Sequence, residues 1–230
     1  FGGVYSAWLY AERCNAWPEL LKSWPQIESA FTDFTYKNPN FGLKPELYFN
    51  RYFSSLLALW AIASRAEHSN LAAQSQALFG KATPTLMQWW KDAGSTLTNF
   101  NGSQQLDPFI GKGDKLSWAV FPHRHKLAIF QDLTPEIAKI VDGFAPEAAA
   151  QVWSTFTNLA PTWQLMGEER QYHFGENFVD TPDFALSAFQ AYAFLQKPNR
   201  ADLLNHVDIP FCKADLYHIQ KLAIALEANK

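Results

Sequence analysis

Apolar residues along this chain recur mostly at three- and four-residue spacing, the mark of helices that bury one face. The clearest run follows Pro45, where Phe49, Tyr52, Phe53, Leu56, Leu57, Trp60 and Ala63 line one side of a helix. That helix would run for about five turns. Three places share one helix-start grammar, a threonine followed by a proline: Thr83-Pro84, Thr134-Pro135-Glu136 and Thr181-Pro182-Asp183. The hydroxyl can accept a bond from an orphan amide, and proline at the first helical position loses no hydrogen bond. Glu136 and Asp183 also suit the positive end of the helix dipole.

The pattern predicts helices over 3–14, 17–34, 45–67, 69–79, 84–93, 135–142, 146–159, 182–196, 199–205 and 213–228. Between residues 95 and 131 it changes. Asn101-Gly102-Ser103, Asp107-Pro108 and Gly111-Lys112-Gly113 mark turns, and only Leu116 to Phe121 reads as a short strand. The expected fold is mainly α, a single-domain antiparallel helical bundle. Its N-terminal half would be 1–94, its irregular connection or small hairpin 95–131, and its C-terminal half 132–230. No fixed-period repeat interrupts this picture.

Composition narrows the class. With 230 residues, 48% apolar and 16% aromatic, the chain is globular, neither disordered nor collagen-like. A domain of this length needs no staple to hold its core. The longest mainly apolar stretch, Phe53 to Ala63, contains two serines and lies between Arg51 and Arg65. It is about half of what a bilayer span requires, so no membrane partner is expected. A net charge of −3 disfavours direct nucleic-acid binding, which draws on phosphate neutralisation. Cys14 and Cys212 form no CxxC; they could close one long-loop disulfide in an oxidising compartment, but are expected as two buried thiols in a cytoplasmic protein. The chain opens at Phe1 with no signal-peptide pattern, which leads us to expect residues upstream of it.

Candidate chemistry is sparse. In Glu169-Arg170-Gln171-Tyr172-His173-Phe174-Gly175-Glu176, helical spacing would put Glu169, His173 and Glu176 on one face. His123 and His125 could add two imidazoles, completing a carboxylate/imidazole set for Fe, Mn or Zn. Against this metalloenzyme reading, Gly175, Asp180 and Pro182 suggest that the helix is ending there. Arg124 and Lys126 also place two cations beside the histidines. Trp89-Trp90 could stack on a sugar in a secreted carbohydrate-active protein, although adjacent helical tryptophans usually wedge into a core. His68 reads as a helix-end cap, His206 as a loop residue and His218 as part of the last helix. There is no GxSxG elbow and no GxxxxGK[ST] loop, so neither serine hydrolysis nor a bound cofactor is expected.

Charge is the feature that rises above this background. From Asp132 to Asp183 nine acids face two bases, a net −7 in 52 residues, while the rest of the chain carries +4. Aromatics interleave those acids: Trp153, Phe156, Trp163, Tyr172, Phe174 and Phe178. An acidic, aromatic-studded segment can steer and hold a basic partner.

The order of segments resembles the helical immunity proteins of PoNe-type DNase toxins, found in type VI secretion and polymorphic toxin systems. The likeness runs through Val4-Tyr5-Ser6-Ala7, Trp17-Pro18-Glu19-Leu20-Leu21 and Tyr52-Phe53-Ser54-Ser55-Leu56-Leu57-Ala58-Leu59. It continues through Phe121-Pro122-His123-Arg124-His125-Lys126, the aromatic, Ala-rich stretch from Phe184 to Leu195, and Pro210-Phe211-Cys212-Lys213-Ala214-Asp215-Leu216. The resemblance implies a non-enzymatic antitoxin whose partner is a cognate DNase toxin. Joined to the charge map, it places the toxin contact on Trp163, Glu168, Glu169, Tyr172, Glu176, Asp180 and Asp183.

Overall fold

The computed structural model describes residues 1–43, 49–98, 129–130, 132–159, 181–207 and 216–228. Among these the regular elements are all helical, as the spacing predicts, and none is long and apolar enough to cross a membrane. The chain gathers into two compact units, Phe1–Gln88 and Trp89–Lys230.

The first unit begins with α1 (Val4–Cys14), α2 (Trp17–Lys22) and α3 (Trp24–Lys37). Asn15 stops α1 in the left-handed conformation (φ 52°), its amide bonded to the Ala11 carbonyl. The helix predicted over 17–34 is instead two helices broken at Ser23. Pro25 is the reason: its ring would strike the Leu21 carbonyl and it has no N–H to offer it. Next, α4 (Phe49–Arg65) packs along α1 and is buried on most of its circumference. Phe49, Phe53, Leu56 and Ala63 are buried as the periodicity predicts, but so are Ser54, Ser55, Ala58 and Ile62 on other faces. Small residues let neighbours approach closely there, and the Ser55 hydroxyl donates to the Gly2 carbonyl at 3.2 Å.

The helices predicted over 69–79 and 84–93 are one helix, α5 (Ser69–Thr98), with Pro84 inside it. Thr83 does not cap a new start; its hydroxyl turns back to donate to the Phe79 carbonyl at 2.9 Å. Pro84 withholds the donor that the Gly80 carbonyl would use, and Gly80 has open space around the position of a Cβ. Because α5 continues to Thr98, residues 95–98 are helical and not part of an irregular connection. The expected turns from 101 to 113 and the strand at Leu116 to Phe121 lie outside the described residues.

Aromatic rings tie the first unit together. Phe34 stacks on Phe1 at 4.6 Å and reaches Tyr52 at 4.9 Å, while Phe53 packs on Phe79 of α5 at 4.4 Å. Between them, Phe41 lies 5.2 Å from Phe34 and 5.1 Å from Phe49. It comes from the turn after α3 and is 1% exposed. Its neighbour Gly42 adopts φ +86° and lies so close to α5 that a Cβ would come within 3.0 Å of the Ala82 backbone. The Thr85 hydroxyl donates to the Gly42 carbonyl at 2.5 Å and fixes the turn against the helix.

The second unit includes α6 (Pro135–Phe144), α7 (Pro146–Leu159) and α8 (Thr181–Ala191), which runs into a π-helical turn, Tyr192–Gln196. Then come α9 (Arg200–Val207) and α10 (Leu216–Ala228). Thr134 caps α6 as predicted, its hydroxyl accepting from the Ile137 amide at 3.4 Å. The helix predicted over 182–196 changes to π geometry at Tyr192 and ends at Lys197, which is left-handed (φ 49°) just before Pro198. Asn199 then caps α9, accepting from the Asp202 amide at 3.0 Å. On α10 the polarity is inverted. Lys221, 5% exposed, is buried beside Ile224 and Ala225, whereas Ile219, Leu222 and Leu226 stand in solvent.

Two glycines give opposite expectations. Gly42→Ala forces a side chain into a left-handed, crowded position and is expected to destabilise by about 2 kcal/mol. Gly143→Ala meets no atom within 4 Å near the end of α6, so it is expected to stabilise by roughly 0.5–1 kcal/mol. Urea unfolding checks both as a fall and a rise in midpoint at constant slope.

Candidate functional site

The acid-rich segment begins in structure at Asp132, a half-buried residue with φ 55°, and continues through α6 and α7. This arm, residues 132–159, carries Asp132, Glu136, Asp142 and Glu147 against one base, Lys139, a net −3. Glu136 sits half-buried in the first turn of α6, while Lys139 and Glu147 are exposed. Asp142 is ion-paired with Lys197, the residue that follows the π-helical turn. The Asp142 carboxylate is thus neutralised within the chain. Such a pair is worth little to stability at the surface, but it reduces the charge offered to a partner.

Trp163, Glu168, Glu169, Tyr172, Glu176 and Asp180 lie outside the described residues. Asp183 lies in the first turn of α8. For the metal reading, His123, His125 and His173 also lie outside the described residues, and among the described ones there is no group of three candidate ligands.

Two interleaved aromatics can be placed, and both serve packing. Phe156 is fully buried, with its ring 5.3 Å from Phe130 in an edge-on contact. Trp153 is half-buried between Phe156 at 5.5 Å and Tyr192 at 5.9 Å. The aromatic that does face water is one the sequence reading passed over. Phe144, the last residue of α6, is 73% exposed. Its spacing from Ile137 and Val141 marks it as core, which hides it from a reading based on periodicity.

Other expectations are corrected by burial. Trp89 and Trp90 are both in the core, so neither indole offers a platform to a sugar. Cys14 is an exposed free thiol at the end of α1, beyond the face that buries Val4 and Ala11. Cys212 lies outside the described residues. His68 follows the end of α4, where its amide bonds the Ala63 carbonyl at 2.9 Å and Glu67 is left-handed. Its ring stacks on Trp24 at 4.1 Å, an aromatic contact and not only a cap. Nearby, the Arg65 guanidinium lies 4.1 Å over the Trp17 ring. His218 is on α10 as expected.

His206 is in the last turn of α9, not in a loop. Its Nδ1 lies 2.9 Å from the Asp202 carbonyl, and its ring is 4.7 Å from Tyr192. Tyr192 opens the π-helical turn, a geometry with no signal in residue spacing. Burial, and secondarily the Asp202 carboxylate, raise the Tyr192 hydroxyl above its ordinary 10.0. This cluster joins α7, the π-helical turn and α9, and Lys197 connects the same turn to Asp142. The contacts that hold it are ring packing and electrostatics.

Compared with known proteins, the chain matches no family profile, no curated protein and no solved structure.

The Tyr192 shift has a measurable sign. Below about pH 10 the folded and unfolded chains both keep this proton. Above that the unfolded chain gives it up first, so this contribution to stability is lost as pH rises through the folded value. Absorbance titration of the tyrosines is expected to lose a late-titrating component in Tyr192→Phe. The same variant is expected to soften the alkaline fall in urea midpoint.

Proposed function

We propose that this chain is a non-enzymatic immunity protein that binds a basic nuclease toxin and covers its DNA-binding surface. The observation that supports the reading is the segregation of charge, −7 over residues 132–183 against +4 elsewhere. The described arm of that segment is consistent with it, since it holds four acids to one base and leaves Glu147 in water. A DNase needs a cationic surface to grip phosphate. An acidic protein is drawn to that surface quickly and can occlude it by burying roughly 1,200–2,000 Å² in total. Inhibition by cover needs no cofactor and no catalytic group. The protein would work in the cytoplasm of the cell it protects, where the DNA to be spared lies.

Binding of the purified chain to catalytically inactivated PoNe-type DNase domains tests the proposal. Wild type is expected to associate at a rate that falls steeply with ionic strength. Reversing Glu168, Glu169 and Glu176 to lysine is expected to slow association by about tenfold or more at low salt and flatten that dependence. A triple variant that binds and protects cells as wild type does would refute the acidic-face mechanism.

A further inference from the structure

We infer that Phe144 is the hydrophobic anchor of the partner-binding surface, built to enter an apolar socket rimmed by basic side chains. The inference rests on the reading of the acid-rich segment as the face that meets a cationic protein. On α6, Ile137 and Val141 are buried, and Phe144 continues their stripe at helical spacing. The stripe runs off the end of the helix into solvent, so a phenyl ring stands where the core has stopped. Among the described residues, Phe144 is the one large apolar side chain of residues 132–183 that is exposed.

The backbone beneath it is held on both sides. The Ala145 amide closes α6 on the Val141 carbonyl at 2.7 Å, and the Ala149 amide opens α7 on the Ala145 carbonyl at 3.1 Å. Ala145 is itself buried, and Pro146 restricts it from the next position. A one-residue corner fixed in this way leaves only two side-chain torsions to be ordered on binding. That is the economy that makes rigid aromatics effective anchors. Charge says what sort of partner fits. Asp142, two residues before the ring, is already paired with Lys197, but exposed Glu147 follows the ring by three residues, within an arm that holds four acids to one base. The occupant is therefore a cationic protein surface.

The experiment compares wild type, Phe144→Ala, Phe144→Trp and Tyr36→Ala on the inactivated PoNe-type DNase domains. Tyr36 is 84% exposed on α3, outside the acid-rich segment, and serves as the control. Phe144→Ala is expected to bind about 30-fold more weakly, chiefly through faster dissociation, with its unfolding midpoint unchanged. Phe144→Trp is expected to keep most of the affinity, and Tyr36→Ala all of it. Wild-type binding with Phe144→Ala within twofold of it overturns the anchor and leaves the acidic face standing. Equal losses in Phe144→Ala and Tyr36→Ala also overturn the anchor. Absence of wild-type binding to every domain overturns both the face and the anchor.

Discussion

Phe41 belongs to a turn, yet its ring is sunk between α3 and α4, and this burial sets the geometry of the first unit. A turn residue can reach that depth only if the chain beside it passes very close to a helix. Gly42 makes this possible, because its left-handed backbone fits against Ala82 with no space for a side chain. Thr85 closes the arrangement by donating to the Gly42 carbonyl from the helix beyond Pro84. Aromatic burial supplies the free energy and the glycine supplies the path. The dense aromatic packing has an electrostatic penalty elsewhere. Among the described residues, the indole N–H groups of Trp8, Trp24 and Trp90 are buried with no acceptor, and each such group forgoes roughly 1–3 kcal/mol.

Helical periodicity was readable from the residues because most of the free energy of these helices comes from one buried stripe. Thr134-Pro135-Glu136 was readable too, because capping is local chemistry. Pro25 and Pro84 show where such reading ends. Both lie within helical patterns, but the first breaks the chain into two helices and the second is carried inside α5. What separates them is partly tertiary. Around Pro84, Gly80 is unencumbered, and the Gly42 turn docks against the same stretch of helix through Ala82 and Thr85. No spacing rule encodes a contact made by residues some forty positions away. The π-helical turn at Tyr192 is a similar case, since one extra residue in a helical turn leaves no mark on composition.

The candidate surface was legible as charge and illegible as shape. Counting acids finds residues 132–183, but cannot tell that Asp142 is engaged by Lys197 while Glu147 faces water. Aromatic counting misleads in a related way. Phe156 and Phe144 look alike in the sequence, one in the last turn of its helix and the other the last residue of its own. The first is buried and the second is not. A helix end is where a periodic pattern loses its meaning, because the neighbour that would cover the next position has already turned away.

The inverted polarity of α10 bears on how this protein behaves with its neighbours. Ile219, Leu222 and Leu226 form an outward row, so crowding many copies together rewards apolar self-contact. Attraction of that kind is strengthened by strongly hydrated salts such as sulfate and weakened by cooling. Attraction between carboxylates and cations responds to electrolyte in the opposite sense. Solvent composition can thus distinguish which kind of surface is engaged in any assembly the protein forms.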